Sequence, residues 1–526
     1  MKPVARIVVV GGGTAGWLTA AVMAARHQGR IRSGSLEVTL LESPDIPIIG
    51  VGEGTWPSLR ATLEKVGVPE ADFFRECDGA FKQGVKFTGW TTGARDDIYY
   101  HPLTMPQGFL QVNLAPHWLA ARSTLSFCEV ACNQTSLWEK GLAPKMATTP
   151  EYQGLVNYAY HLDAGKFADF LTRHCTTRLG VRHVLSNVRG VLRAGGGGTQ
   201  GMAREMAEGD IRAVATDAGE IEGDLFVDCT GTRALLIGEA LGVPYRDCSD
   251  VLFCDTALAV QVPYPDPEAP IASCTLATAQ SAGWTWDIGL PTRRGVGHVF
   301  SSRHVTAQQA QDELAAYVGP AIGQLNVRTI KLRVGHRVER WKNNCIAVGM
   351  SAGFLEPLEA SAIVQIEMAA GWIAEQLPAC REVMDIVAGR FNDYTLYHWG
   401  RIIDFLKLHY VLSRRTDNAF WRDNLDPATI PERLQDMLRL WKYHSPWIRD
   451  GLERTDETFP TASYQYVLYG MGFRGEVQRD ELAQTQALAN RAMGENQALT
   501  QRLAGQLPGN RELLRVIARD GLPSLR

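Results

Sequence analysis

Gly11-Gly12-Gly13-Thr14-Ala15-Gly16 directly follows the β-branched run Arg6-Ile7-Val8-Val9-Val10 and opens an Ala-rich segment, Trp17 to Arg26. A second apolar run, Leu36 to Leu41, closes on the acid Glu42. Strand, glycine turn, helix, strand and acid is the order that binds a dinucleotide. Gly11 permits the tight turn, Gly13 lets the backbone approach a pyrophosphate, and Gly16 lets helix and strand pack closely. Thr14 and Ala15 bring the free N–H groups of the helix start, and Glu42 is placed to accept from ribose hydroxyls. A purely structural glycine turn would leave the acid at the end of the second strand unexplained. Metal chemistry has no such support. The ten Cys are scattered from Cys77 to Cys380, the close pair Cys128/Cys132 lies outside any paired-ligand spacing, and no HExxH occurs.

These residues need a parallel sheet to hold them, and two later segments supply its grammar. Asp224-Leu225-Phe226-Val227-Asp228-Cys229-Thr230-Gly231 reads as a buried strand ending in a small-residue turn. Asn344-Cys345-Ile346-Ala347-Val348-Gly349-Met350-Ser351-Ala352-Gly353 reads as another, followed by a helix from Ile363 to Leu377. One mononucleotide-binding fold is thus built from three separated pieces, and the chain between them is insertion. Segments around 254–264 and 296–301 alternate like strands of a second sheet. Gly195 to Gly198 reads as a surface hairpin tip, since no helix pattern follows it directly. From about residue 381, Ile402, Ile403, Phe405, Leu406, Leu408, Val411 and Leu412 take helical spacing.

The fingerprint at the extreme N-terminus, with further strand-and-turn pieces near 228 and 350, favours FAD over NAD. The expected class is α/β, resembling the FAD-binding Rossmann-like fold of flavin monooxygenases, with an inserted β-sheet and a mostly helical C-terminal substrate region. The expected division is 1–380 for the FAD domain and 381–526 for the helical region. Insertions at about 101–150 and 240–330 are expected on the substrate side.

The composition fits an ordinary globular chain. Its 526 residues are 45% hydrophobic and 21% charged, room for three or four domain equivalents at about 150 residues each. Lys and Arg number 53 against 57 Asp and Glu, a net charge of −4, so no polycationic surface drives it onto nucleic acid or anionic lipid. The 13 Trp, 15 Tyr and 17 Phe argue against disorder. No apolar run approaches the roughly 20 residues of a membrane span, and no signal-peptide cleavage pattern follows the N-terminus. A cytoplasmic chain without nucleic-acid or membrane partners, monomeric or homodimeric, is expected.

A narrower resemblance rests on six ordered segments. Gly283-Trp284-Thr285-Trp286-Asp287-Ile288-Gly289-Leu290-Pro291 looks like the WxWxIP signature of flavin-dependent halogenases, the tryptophan halogenase family. Gly50-Val51-Gly52-Glu53-Gly54-Thr55, Phe81-Lys82-Gln83-Gly84-Val85-Lys86-Phe87 and Tyr158-Ala159-Tyr160-His161-Leu162-Asp163 resemble the same family. So do Gly353-Phe354-Leu355-Glu356-Pro357-Leu358-Glu359-Ala360-Ser361-Ala362 and Asp404-Phe405 with His409-Tyr410. The resemblance runs from residue 6 to about 475. Two departures stand out: Gly289 replaces the signature's Pro, and Ala360-Ser361-Ala362 stands where tryptophan-specific members tend to have Ser-Thr-Gly.

The resemblance implies a reaction. A separate reductase supplies FADH2, which with O2 forms a flavin hydroperoxide. Chloride or bromide attacks it to give hypohalous acid, and this passes through a tunnel to a small electron-rich aromatic. Lys82 matches the family's catalytic lysine, although strand alternation alone puts Lys82, Gly84 and Lys86 on one face. Glu359 matches the catalytic glutamate, with Glu356 its competitor three residues earlier. Gly52, Glu53, Gly54, Gly231, Gly349 and Leu358 join Gly11, Gly13, Thr14, Ala15, Gly16 and Glu42 as expected cofactor contacts. The N–H groups of Ser361 and Ala362 match the halide-binding amides. Ala362 disfavours the positive φ that Gly allows there, so a loop altered toward bromide is expected.

Trp284 and Trp286 are expected to be structural or gating residues, not substrate platforms. His101 matches a pocket residue, with a plain core histidine as the alternative reading. Leu103 replaces the neighbouring aromatic, so simple indole or another aromatic is as open a substrate as tryptophan. An FAD monooxygenase that draws on NAD(P)H, and a flavoprotein that binds without catalysing, are the competing functions.

Overall fold

The computed structural model describes residues 3–46, 52–195, 206–450, 457–477 and 479–524. Gly50-Val51 of the quoted motif and Gly196 to Gly198 of the glycine run lie outside them. A six-stranded sheet runs in the order Trp341–Lys342, Cys345–Ala347, Leu225–Asp228, Arg6–Val10, Glu37–Glu42, Arg182–Leu185. The three separated pieces do join: Ile7 pairs with Leu225 and Val38, and Phe226 pairs with Cys345, all in parallel. Only Trp341–Lys342 is antiparallel, at an edge. The period-2 alternation of the first strand sorts its side chains between two cores. Ile7 and Val9 face the helices Thr14–Arg26 and Ser361–Glu375, while Val8 and Val10 meet Ile211 and Val214 of a small three-stranded sheet.

The inserted sheet has seven strands, in the order Arg328–Lys331, Thr256–Pro263, Arg293–Phe300, Gly283–Gly289, Thr275–Gln280, Gly84–Thr88, Ile98–Pro102. Between it and the nucleotide half lies a three-stranded sheet, Gly52–Gly54, Ala159–Asp163, Ala80–Lys82. The strand expected across Phe81 to Phe87 is therefore two strands in different sheets. The chain breaks at Gln83, whose N–H donates to Ser273 O (2.7 Å) and whose amide donates to Leu142 O (2.8 Å). Lys82 and Lys86 do not share a face.

The helix Arg381–Val411 has 31 residues and is about 46 Å long at 1.5 Å per residue. Its first half packs Met384, Ala388 and Phe391 into the nucleotide core, and its second half packs Ile402, Phe405, Leu406 and Leu408 into the core of the seven-stranded sheet. It binds the two halves together. The helix Asn510–Asp520 returns to the nucleotide half, with Leu513, Leu514 and Ile517 in the same core as Phe73 and Phe74. Among the described residues no helix is long and apolar enough to cross a membrane.

Candidate active site

A cavity of about 430 Å³ opens at the carboxyl ends of the parallel strands, where open α/β sheets bind their ligands. Gly11, Gly13, Thr14, Ala15, Glu42, Glu53, Gly231 and Gly349 line it, as do Ser361 and Ala362. The glycines divide by role. Gly11 has φ +117°, and a Cβ there would sit 2.2 Å from Cys229 O. A Cβ on Gly16 would sit 1.8 Å from Gly11 O, so Gly16 lies beneath the turn instead of lining the cavity. Gly12, absent from the sequence-derived set, abuts Glu42, whose Cδ lies 2.1 Å from where a Cβ would be. Around Gly13 and Gly231 that space is open to 4 Å. The Glu42 carboxylate contacts His183 Nε2 at 2.9 Å. Burial, reinforced by the charge of Asp163, pushes Glu53 up to about 7. Gly52, Gly54 and Leu358 do not line the cavity; Gly52 backs onto Gly295 and Leu358 is buried.

The open space at Gly13, the bare helix start behind it and the acid across from it fit a dinucleotide. Two substitutions separate binding from folding. Gly13→Val should leave the apoprotein's melting temperature nearly unchanged and weaken FAD at least about a hundredfold, since the added side chain fills ligand space. Gly11→Ala should destabilise by several kcal/mol through a backbone clash and an unfavourable φ. Thermal melts with FAD titration check both.

Beside this cavity the sheet Gly52–Gly54, Ala159–Asp163, Ala80–Lys82 holds the candidate lysine. Lys82 is 1% exposed, and its Nζ donates to Thr55 O at 3.0 Å. Burial pulls it down to about 8, against the pull of Glu359. Lys86, by contrast, is only half-buried and pairs with Glu139 at 2.9 Å. A Cβ on Gly54 would lie 3.3 Å from both Lys82 Nζ and Ala360 Cβ, so this glycine keeps the gap between the lysine and the Glu359 turn.

Glu359 is buried, with His101 Nδ1 donating to its Oε2 at 2.8 Å and His409 Nε2 3.3 Å from its Oε1. Tyr99 OH is 2.7 Å from His409 Nδ1, which orients that ring. Burial alone would raise this carboxyl, but His101 and then His409 outweigh it and hold Glu359 below the usual carboxylate range. Glu359 and Ala360 have φ of +63° and +54°, a conformation that costs non-glycine residues about 1–3 kcal/mol each. The strain expected at Ala362 thus falls on Glu359 and Ala360. Ser361 and Ala362 occupy the ordinary first turn of the helix Ser361–Glu375, whose leading N–H groups have no intrahelical acceptor. This removes the conformational reason for a bromide preference.

Glu356, the competing carboxylate, takes another part. Its Oε2 accepts from Trp284 Nε1 at 3.1 Å and Tyr410 OH at 2.7 Å, and burial raises it. Trp284 and Trp286 are buried on one strand with ring centroids 6.3 Å apart. Trp286 lies flat on Gly297, where a Cβ would come 2.0 Å from the ring, and lines a separate cavity of about 370 Å³ with Gly52 and Gly295. Gly289 could not be the signature's proline without displacing Ile271, 2.9 Å from a built Cβ.

An aromatic cluster adjoins Glu359. Phe405 stacks on Phe459 at 3.8 Å, with Trp56 edge-on to Phe459 at 4.7 Å and Tyr464 edge-on to Phe405 at 5.0 Å. Trp56 Nε1 donates to Glu359 O at 2.7 Å, and the His101 ring lies 5.5 Å from Phe405. Leu103 is half-buried at the end of its strand, its N–H donating to Gln134 Oε1 at 3.0 Å. Thr55, Trp56, His409 and Phe459 escaped assignment from the sequence; Thr55 and His409 had a signal, their places in quoted motifs. Among the described residues no cluster of His, Cys, Asp or Glu could hold a metal ion, and all ten cysteines are buried and free.

The chain is similar to known proteins over most of its length. The tryptophan halogenase family model matches residues 6–487. Tryptophan 7-halogenase RebH of Lentzea aerocolonigenes is 34% identical over 456 residues, 83% of this chain and 82% of that protein. The crystal structure of a tryptophan halogenase from Shewanella frigidimarina NCIMB 400 superposes with a TM-score of 0.94 at 47% identity, covering 100% of this chain and 99% of that one. BrvH, a flavin-dependent halogenase from Brevundimonas sp. BAL3, gives 0.84 at 32% identity over 98% and 99%. With a lysine, a glutamate and a dinucleotide cavity brought together by this fold, the chain belongs to the tryptophan halogenase family and is a flavin-dependent halogenase.

Proposed function

We propose that the chain halogenates an indole-type aromatic between Lys82, Glu359 and the Phe405–Phe459 wall. The carrying observation is the buried Lys82 ammonium, next to the Glu359 turn and beside the cavity that Ser361 and Ala362 line. The Gly11–Gly16 turn, Glu42, Gly231 and Gly349 would hold FAD, which, reduced by a separate reductase and given O2 and halide, would supply hypohalous acid. Lys82 donates a hydrogen bond to that acid and draws electron density from its halogen, an effect strengthened by the dry surroundings. Glu359, kept ionised by its histidines, accepts the proton that the ring releases after attack. The Ser361 and Ala362 N–H groups hold the halide at a helix start. Glu356 anchors Trp284, and the two tryptophans form a wall between cofactor and substrate sides.

The charges around the aromatic cluster favour a substrate without an amino-acid zwitterion. Arg401 and Glu457 are buried and paired with each other at 3.3 Å, and Asp404 pairs with Arg433 at 2.5 Å. A free amino acid would have to break such pairs, a cost of several kcal/mol. The test is mass spectrometry of indole, substituted indoles and tryptophan incubated with the protein, a flavin reductase, NADH and bromide or chloride. Indole should carry the bromine isotope doublet at a higher rate than tryptophan. Halogenated tryptophan with untouched indole would reverse the substrate assignment, and NADH consumption without the reductase would contradict the need for a partner.

A further inference from the structure

Arg340 lines the flavin cavity, is 1% exposed, and has no carboxylate within salt-bridge distance among the described residues. Its place is fixed by the backbone. Ala347 N–H donates to Arg340 O at 2.7 Å, and Arg340 N–H donates to Asn392 Oδ1 at 2.8 Å. This sets the residue at the carboxyl end of the strand Cys345–Ala347, on the ligand side of the sheet. The guanidinium Nη2 lies 2.7 Å from His336 Nδ1, itself 2.9 Å from Arg337 O, and the group lies 5.6 Å from the Trp399 ring. Its Nε and Nη1 have no hydrogen-bond partner among the described residues. Burial pulls Arg340 down to about 9, which leaves it charged at neutral pH. His336, lowered to about 4 by burial and by Arg340 itself, is neutral and offers no counter-charge.

A buried cation with two idle donors is costly, and an anion is what repairs it. The surroundings limit its kind. Trp399 and Thr395 line the same cavity, but the Thr395 hydroxyl already donates to Phe391 O at 2.9 Å. The lining's other arginine, Arg233, is exposed and paired with Glu239 at 3.6 Å, so a phosphate would find one buried guanidinium for several oxygens. A monoatomic halide needs only N–H donors and tolerates an apolar neighbour.

We propose that Arg340 forms a second halide site, where chloride or bromide waits in the cavity that Ser361 and Ala362 also line. The inference rests on the reading of those two residues as the halide's reaction position. It makes Arg340 a determinant of halide affinity that acts on supply and leaves the aromatic substrate's binding alone.

Bromide soaked into crystals of the whole protein, with and without FAD, tests this through anomalous scattering. Wild-type protein should show bromide in contact with the Arg340 guanidinium in both states. Arg340→Met should lose that peak and raise the bromide concentration for half-maximal halogenation about tenfold or more, with the indole KM unchanged. Arg340→Lys should recover part of both. Absence of bromide beside Arg340 in the wild type overturns the proposal, whatever the variants do. So does Arg340→Met that weakens FAD and keeps its bromide dependence, since the guanidinium would then serve the flavin. Bromide at Arg340 in a protein that halogenates nothing in the indole panel would leave this site standing while the catalytic reading fell.

Discussion

Lys82→Met should lower halogenation by about 10²–10⁴-fold, the usual loss when a positioned proton donor is removed, while FAD binds as before. The side chain lies outside the flavin cavity's lining and its ammonium is spent on Thr55 O and the Glu359 neighbourhood. Methionine fills the same volume without the charge, so folding should not suffer. It should gain. Lys82 falls from an ordinary 10.5 to about 8 through burial, worth on the order of 3 kcal/mol against the folded state when the group is charged. Because the folded form holds its proton less tightly, the penalty is complete below pH about 8 and fades as pH rises toward 10.5. Melts of wild type and Lys82→Met should differ most at pH 7 and converge near pH 10. A variant that keeps full halogenation of indole, or that loses FAD together with activity, would remove Lys82 from the reaction.

Glu359→Gln is the second large effect. The amide keeps the size and still accepts from His101, and Gln suits the +63° backbone as well as Glu does. What vanishes is the negative charge, so turnover should fall about 10²–10³-fold with substrate KM little changed. Stability should drop by about 1–3 kcal/mol at neutral pH, because two imidazoles lose their shared carboxylate. Here the sign is opposite to that of Lys82. A carboxyl held below its ordinary 4.5 stabilises the fold above that pH and loses this contribution as pH falls below it. The wild-type advantage over Glu359→Gln should therefore be full at pH 7 and shrink on acidification past pH 4.5. Equal turnover of the two proteins at neutral pH would assign the ring proton to another base.

The nucleotide half was legible because its signal is local. Strand, glycine turn, helix, strand and acid follow one another within residues 6–42, and each step has a short-range physical cause. The proposed catalytic pair was legible only as a motif. Strand alternation treated Lys82 and Lys86 alike, and a break at Gln83 sent one into a buried sheet and the other to a half-exposed pairing with Glu139. Trp399 comes from the region 381–526 expected to hold substrate, yet it lines the flavin cavity, and Trp372 packs on Trp341 and Phe391 in the nucleotide half.

By itself the sequence determined the parallel-sheet dinucleotide fold and the membership of a halogenase family, and it singled out two charged residues, Lys82 and Glu359, as candidates. Only the tertiary structure decided what state those residues are in. His101 reaches Glu359 across 258 positions and Tyr99 reaches His409 across 310. The same folding buried Lys82 beside the Glu359 turn, gave Glu356 to Trp284 and set the Arg340 guanidinium in the flavin cavity's lining. Desolvation and charge pairing are sums over whatever the fold brings within a few ångströms. Chain spacing carries no record of that neighbourhood.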